Sequence, residues 1–171
     1  MTKYTPGAGT PEIRRAIVAK LARDNKVTYL PKETIACVGA KQAIFLALQV
    51  LVDPGDEVLI PSPYWVSYPE MVSLSDGVSV FVEVRLEDDF KLTPAALEKA
   101  CTKKSKVLVL NYPNNPTGAS FTRAELEAIV DVCIRKGIYI VSDEVYEKLL
   151  YDGGEHVSVA ALSPEAKAIT V

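Results

Sequence analysis

Short apolar segments alternate along this chain with amphipathic segments that have the periodicity of helices. Continuous apolar runs occur at 58–60, 107–110 and 138–141, and turn residues bound each of them. Strands that are apolar on both faces are typical of a parallel sheet that helices cover on both sides. We therefore predict an α/β fold with three layers, α/β/α, built around a mostly parallel sheet.

Helix-start residues, glycines and prolines set the bounds of the predicted elements. Thr10 with Pro11 is typical of a helix N-terminus, and Thr122 with Glu125 forms a capping-box pattern. The predicted helices are 10–25, 41–52, 66–76, 93–102, 122–137 and 145–151, and the predicted strands are 34–38, 57–63, 78–84, 106–113, 138–144 and 168–171.

Charge and cysteine content exclude several classes of protein. The net charge is -3, the sequence pI is near 5.3, and Lys and Arg form no stripe, which argues against a nucleic-acid partner. The three cysteines are widely spaced and His156 is the only histidine, so we expect a reduced, cytoplasmic protein without a metal site. The N-terminus has no signal-peptide pattern, and the longest apolar run, 43–52, is too short to span a membrane.

The residues that follow each predicted strand form the candidate site, because ligands of parallel α/β sheets bind beyond the carboxyl ends of the strands. Gly39, Ala40 and Lys41 open a helix after strand 34–38 and offer free amides to a phosphate. A tight strand–helix turn also needs a glycine for steric reasons alone. Trp65 follows the next strand, where an aromatic plug of the core is the simpler explanation.

The last two long strands end in amides and carboxylates. Asn115 lies in an Asn-Pro turn after strand 106–113, and Asp143 closes strand 138–144. A carboxylate directly after an apolar strand must find a partner, which indicates function. A nucleotide site does not fit, since the chain has no G-x-x-x-x-G-K-[ST] motif and the GAG at Gly7 follows no strand. The combination instead predicts a pocket for a flat, phosphorylated, nitrogen-containing ring.

Five segments in order carry a resemblance that covers essentially the whole chain. They are YTPGAGTPEIR, GAKQAIFLAL, DPGDEVLIPSPYWVSYPEMV, NYPNNPTGA and SDEVYEKLLYDG. Together they resemble the class I/II aminotransferases, which are fold-type-I pyridoxal-phosphate enzymes, and among these the bacterial-type aspartate aminotransferase branch with its aspartate/prephenate aminotransferases. The resemblance implies that residues 1–171 are part of the large domain of such an enzyme and that its cofactor is pyridoxal 5'-phosphate.

The resemblance also implies how four residues would meet the cofactor ring. Asp143 would face the pyridine nitrogen and keep it protonated, so that the ring can act as an electron sink. Tyr146 and Asn115 would hydrogen-bond the ring oxygen, and Asn115 would also help to orient the substrate. Trp65 would stack on the ring face. Asp143 and Tyr146 are therefore the candidate catalytic residues.

The remaining implied contacts concern the phosphate and a second subunit. Gly39, Ala40 and Lys41 would hold the phosphate group, and Tyr4 would reach the phosphate of the neighbouring subunit. Tyr4 thus implies a homodimer. Three further polar or aromatic residues near the strand ends are expected to be packing or surface residues, namely Tyr64, Tyr112 and Glu144.

The implied activity is transfer of an amino group between an amino acid and a 2-oxo acid. In the family, the Schiff-base lysine follows the strand that 168–171 would begin, so we expect the N-terminal arm, the lysine segment and the small C-terminal domain to be absent from these 171 residues. We expect the chain to be inactive alone, because it would lack the lysine that acts as base. Two alternatives remain open: a lyase or synthase of the same fold, and a non-catalytic scaffold or partner-binding domain.

Overall fold

Four parallel strands form the central sheet of the structure, a computed structural model that describes residues 4–171. They are β1 (Glu57–Ser62), β2 (Val78–Glu83), β3 (Ser105–Asn111) and β4 (Tyr139–Asp143), in the spatial order β2-β1-β3-β4. The helices are α1 (Pro11–Asp24), α2 (Gly39–Leu51), α3 (Ser67–Ser73), α4 (Pro94–Ala100), α5 (Arg123–Lys136) and α6 (Pro164–Ile169).

Side chains of the strands point alternately to two separate cores. Leu108 and Leu110 of β3 pack with α4, α5 and α6 on one face of the sheet. Val107 and Val109 pack with α2 and α3 on the other face. Helices therefore cover both faces of a parallel sheet, and the prediction of a three-layer α/β/α fold is confirmed.

The strand order places a crevice beyond the carboxyl ends of the strands, where β1 and β3 lie side by side. The chain passes from β1 to β2 on one side, whereas β3 and β4 lie on the other side of β1. Loops that leave neighbouring strands in opposite directions open a gap beyond their carboxyl ends. The segments after β1, β3 and β4 all border this region, and they contain the residues that the sequence singled out.

The predicted strand 34–38 is wrong, and the predicted strand 168–171 is present only in its last two residues. Residues 34–38 form no strand in the part of the chain that the structure describes, and the Ala36 N–H donates to the carbonyl of Ala8 instead (3.0 Å). The predicted strand 168–171 overlaps α6, a helix that Ser163 caps and that continues through Ile169. Thr170 then forms a parallel bridge to Ile140 of β4. The Val171 N–H donates to the Ile140 carbonyl (2.9 Å), and the Ser142 N–H donates to the Val171 carbonyl (2.9 Å). β-branched residues form a strand only where a partner strand lies alongside.

The predicted helix 145–151 is also wrong, because residues 145–148 form turns and 149–151 form no regular element. The Glu147 N–H donates to the carbonyl of Glu144 (3.0 Å), which is the spacing of a turn and not of an α-helix. The Glu147 carboxylate is held by Lys20 and by Asn25 (2.7 Å), at the end of α1. This contact between distant parts of the chain competes with a helix that the local sequence pattern favours.

The longest helices of the fold, α1 and α5, have 14 residues each. Within residues 4–171, no helix combines the length and the hydrophobicity that crossing a bilayer requires.

Exposed apolar side chains predict that the 171-residue chain self-associates when it is alone. Val50, Val66 and Leu74 are 83%, 76% and 70% exposed, and Phe81 on the edge strand β2 is 50% exposed. Apolar patches and open sheet edges promote pairing between chains. We expect light scattering at micromolar concentration to detect dimers or larger species. A monodisperse monomer that unfolds cooperatively at high urea concentration would contradict this expectation.

Candidate active site

A cavity of about 190 Å³ lies at the carboxyl ends of β3 and β4. It contains five of the predicted site residues, namely Ala40, Trp65, Asn115, Asp143 and Tyr146. Three further residues complete its lining: Tyr68, Asn111 and Val145. Segments that are far apart in the sequence thus meet around one space, at the edge of the sheet where a ligand is expected.

Asp143 is the only buried carboxylate among the described residues, and it borders this cavity. It is 7% exposed, and its Oδ2 accepts a hydrogen bond from the Tyr68 hydroxyl (2.6 Å). Its Oδ1 accepts one from the Val145 N–H (3.2 Å). Within residues 4–171 no Lys, Arg or His forms an ion pair with it. A buried carboxylate without a cationic partner favours binding of a positively charged group in the cavity.

Tyr68 is a site residue that the sequence analysis missed. It is 2% exposed, and burial, together with the negative charge of Asp143, raises the pKa of its hydroxyl well above the ordinary range. Tyr68 therefore remains a hydrogen-bond donor to Asp143 at physiological pH. Its ring meets the Trp65 ring edge to face, with the centroids 5.4 Å apart. A tyrosine three residues after Trp65 in a predicted helix was the available indication, since a buried hydroxyl needs a partner.

The Asn-Pro loop after β3 is held by side-chain hydrogen bonds. The Asn111 Oδ1 accepts from the Asn115 N–H (2.8 Å), and the Asn111 Nδ2 donates to the carbonyl of Asp143 (3.0 Å). The Asn114 Oδ1 accepts from the N–H (3.1 Å) and the hydroxyl (2.9 Å) of Thr117. Asn111, which is 7% exposed, was also missed by the sequence analysis, although it is the last residue of an otherwise apolar strand.

The N-terminus of α2 adjoins the cavity through Ala40. Gly39 begins this helix with φ of +80°, a conformation that favours glycine. Among the described residues no side chain caps the helix start, while the Val38 N–H donates to the Gln42 side chain (2.6 Å). The first amides of α2 can therefore bind an anion. The Lys41 ammonium lies over the Trp65 ring, 4.9 Å from its centroid, at the same end of the helix.

Gly39, Lys41 and Tyr4 do not line the cavity. Tyr4 is fully exposed, so its predicted role toward a neighbouring subunit stays a prediction. Tyr64 stacks on Phe81 with the ring centroids 4.9 Å apart, which is a packing contact.

Tyr112 and Glu144 belong to a separate hydrogen-bonded cluster. The hydroxyl of the buried Tyr112 lies within hydrogen-bond distance of two acceptors, the Val157 carbonyl (3.0 Å) and Glu144 (3.1 Å), and burial raises the pKa of this hydroxyl. Glu144 also pairs with the His156 ring (2.7 Å). Both residues therefore hold the chain together near the strand ends, as expected of packing residues.

Glu144, Glu147 and His156 come close enough together to resemble a metal site, a grouping that linear spacing did not reveal. The two carboxylates and the His156 Nε2 are already engaged with protein partners. The ammonium of Lys20 lies against the Glu147 carboxylate, where it would repel a cation. Burial opposes ionisation of Glu147, but the hydrogen bonds from Lys20 and Asn25 outweigh it and lower the pKa of this carboxyl. We therefore assign no metal to this cluster.

Comparison with known proteins gives a consistent result along the whole chain. The profile of the family described as Aminotransferase class I and II matches residues 1–171. The chain is 54% identical over 170 residues to an aspartate aminotransferase of Geobacillus stearothermophilus, covering 99% of this chain and 43% of that protein. It is 49% identical over 164 residues to the aspartate/prephenate aminotransferase of Thermus thermophilus, covering 96% and 42% of the two chains.

Solved structures agree with these relatives. The aspartate aminotransferase of Thermus thermophilus with maleate superposes with a TM-score of 0.93 at 48% identity, covering 99% of this chain and 43% of that one. The aspartate aminotransferase of Rhizobium meliloti gives a TM-score of 0.96 at 39% identity, covering 99% and 42%. The chain thus spans less than half the length of the proteins that it matches.

Proposed function

We propose, from the premise that this chain belongs to the class I and II aminotransferase family, that its parent protein moves amino groups between amino acids and 2-oxo acids with pyridoxal 5'-phosphate. One observation carries the proposal. Asp143 is a buried carboxylate that faces a cavity and has no cationic partner in residues 4–171. A protonated pyridine nitrogen would supply that partner.

The residues around the cavity fit the cofactor by their chemistry. Pyridoxal phosphate supplies, when bound, an electron-withdrawing ring that stabilises negative charge at the substrate α-carbon. Asp143 would hold the proton on the ring nitrogen, and Tyr68 keeps this carboxylate oriented through its hydrogen bond. Trp65 would cover one face of the ring. The free amides at the start of α2 would bind the phosphate, with the helix dipole favouring negative charge.

Asn115 and Tyr146 would contact the ring oxygen, since both line the same cavity as Asp143. The relatives' names favour an acidic amino acid as one substrate, and we propose aspartate as the donor. A steady-state assay of the full-length protein tests this, with a panel of amino acids and 2-oxoglutarate as acceptor. Turnover that is absent with aspartate and with every other amino acid of the panel would exclude an aminotransferase.

The chain covers 43% of its relatives, and we propose that residues 1–171 are part of a larger cofactor-binding domain. The lysine that binds the cofactor covalently would then be supplied by a segment outside this range, as would the small domain. Tyr4 would contact a second subunit in a homodimer. Light scattering of the full-length protein, with and without Tyr4→Phe, tests the assembly and the contribution of this hydroxyl.

Cofactor binding by the 171-residue chain itself is expected to be weak and non-covalent. Trp65 is its only tryptophan, so quenching of the fluorescence follows ligands that enter the cavity. We expect quenching by pyridoxal phosphate to reverse on dialysis. Borohydride reduction followed by peptide mapping should leave no single lysine labelled in stoichiometric amount.

Pyridoxal without its phosphate is the matched control ligand, because it keeps the ring and loses the group that α2 would bind. It should quench the fluorescence only at higher concentration. Stoichiometric labelling of one lysine would contradict the expectation, and Lys41 is the position to inspect because its ammonium lies beside Trp65.

A further inference from the structure

Asn111 joins the two elements that carry the proposed ring contacts. It is paired with Asp143 at the end of the β3–β4 ladder, and its side chain is buried. One end of its amide accepts from the Asn115 N–H, and the other end donates to the Asp143 carbonyl. The partners determine the orientation of the amide, since an N–H must face the oxygen and a carbonyl must face the nitrogen.

We infer that Asn111 is a positioning residue that holds Asn115 and Asp143 in register on the cofactor ring, an inference that rests on the proposed function. Asn115 lies in a loop between two prolines that have no N–H of their own, so few backbone groups can anchor it. The loop's own turn hydrogen bonds join Asn114 to Ala119 and to Gly118, and neither reaches β4. The backbone reaches β4 at the start of the loop, where the Tyr112 N–H donates to the Asp143 carbonyl (3.2 Å). Asn111 provides the side-chain connection from the loop to the strand end.

A simpler explanation is that Asn111 only stabilises the turn. Asn114 provides the comparison, because its side chain also makes two hydrogen bonds in this loop and both go to Thr117 within the turn. Asn111 differs because one of its two hydrogen bonds leaves the loop and ends on the residue that carries the buried carboxylate. Its amide also lines the cavity itself, so the inference concerns the geometry of the site and not the loop alone.

The same substitution at both positions separates the two explanations. Asn114→Asp keeps the acceptor for Thr117 and loses no hydrogen bond, because both hydrogen bonds of the Asn114 side chain are accepted by its oxygen. Asn111→Asp keeps the acceptor for the Asn115 N–H but turns a second oxygen toward the Asp143 carbonyl, which repels it. When the introduced carboxyl is protonated, its O–H can donate to that carbonyl again.

The experiment is a titration of the apo form of the full-length protein with pyridoxal phosphate, followed by absorbance at several pH values. We expect the dissociation constant of Asn111→Asp at pH 8 to be about tenfold that of the unaltered protein. This ratio of dissociation constants, variant over unaltered protein, should fall toward one as the pH falls. Asn114→Asp should keep a ratio near one throughout. Equal ratios for the two variants at every pH would overturn the inference.

Hydrogen exchange on the apo protein gives a second measurement that does not involve the cofactor. The Asn115 amide should lose protection in Asn111→Leu, which removes both hydrogen bonds, and should keep it in Asn111→Asp. Unchanged protection in Asn111→Leu would also overturn the inference. If the unaltered protein binds no pyridoxal phosphate, the proposed function fails before any variant is compared, and the inference falls with it.

Discussion

Replacing Asp143 by Asn in the full-length protein is expected to lower the turnover number for transamination by about 10²–10³-fold, or about 3–4 kcal/mol of transition-state stabilisation. The change preserves the size of the side chain and leaves an oxygen that can accept from the Tyr68 hydroxyl. It removes the negative charge that would hold a proton on the ring nitrogen. The ring would then withdraw electrons less strongly, and the substrate carbanion would lose its stabilisation.

The measurement is steady-state kinetics with saturating cofactor, together with a cofactor titration that shows the variant to be loaded. Asp131→Asn is the matched control, since this carboxylate lies on α5, is 67% exposed and pairs only with Arg135 at the surface. Exposed ion pairs contribute little, so the control should retain its activity and its stability. Turnover of Asp143→Asn within a few-fold of the unaltered protein would remove Asp143 from the mechanism.

Leu108→Ala is expected to destabilise the fold by about 2–5 kcal/mol. Leu108 lies on β3, with Leu59 of β1 on one side and Ile140 of β4 on the other, and all three side chains are fully buried. Truncation would leave a cavity that the rigid sheet cannot close. Since a domain is stable by only about 5–15 kcal/mol, this loss would be a large part of the total.

Urea unfolding followed by far-UV circular dichroism measures the effect, at a concentration below that of self-association. Val78→Ala is the control, because Val78 begins the edge strand β2 and is 49% exposed. It should cost less than about 1 kcal/mol. A cost for Leu108→Ala as small as that of the control would show that the two cores are less tightly packed than the structure indicates.

Local sequence pattern was sufficient where the determinants of structure are close together in the chain. Thr10, Thr93 and Thr122 each cap the helix that was predicted to begin beside them, and Thr122 forms the capping box with Glu125. Three of the four strands, β1, β3 and β4, follow continuous apolar runs, and Gly137 ends α5 in the left-handed conformation that favours glycine. These features depend on neighbours within a few residues, so the sequence alone specifies them.

Five of the eight predicted site residues line one cavity, because the sequence analysis searched the carboxyl ends of the strands. The rule works since parallel strands present those ends at one edge of the sheet. Three lining residues were missed, and two of them, Tyr68 and Asn111, act through hydrogen bonds to Asp143, 75 and 32 residues away. Their own sequence neighbourhoods are a short helix and the end of an apolar strand, and neither includes Asp143.

The sequence by itself determined the layer architecture, the parallel sheet and most of the residues that line the cavity, because periodicity and strand-end position are local properties. Tertiary structure alone decided that 145–151 is not a helix, since the side chains of Lys20 and Asn25 hold Glu147 in a turn. It also decided that Asp143 is oriented by Tyr68 and joined to the Asn115 loop by Asn111. The hydrogen bonds from Tyr68 and Asn111 to Asp143 form only where folding has brought donor and acceptor together, because 75 and 32 residues separate them in the sequence.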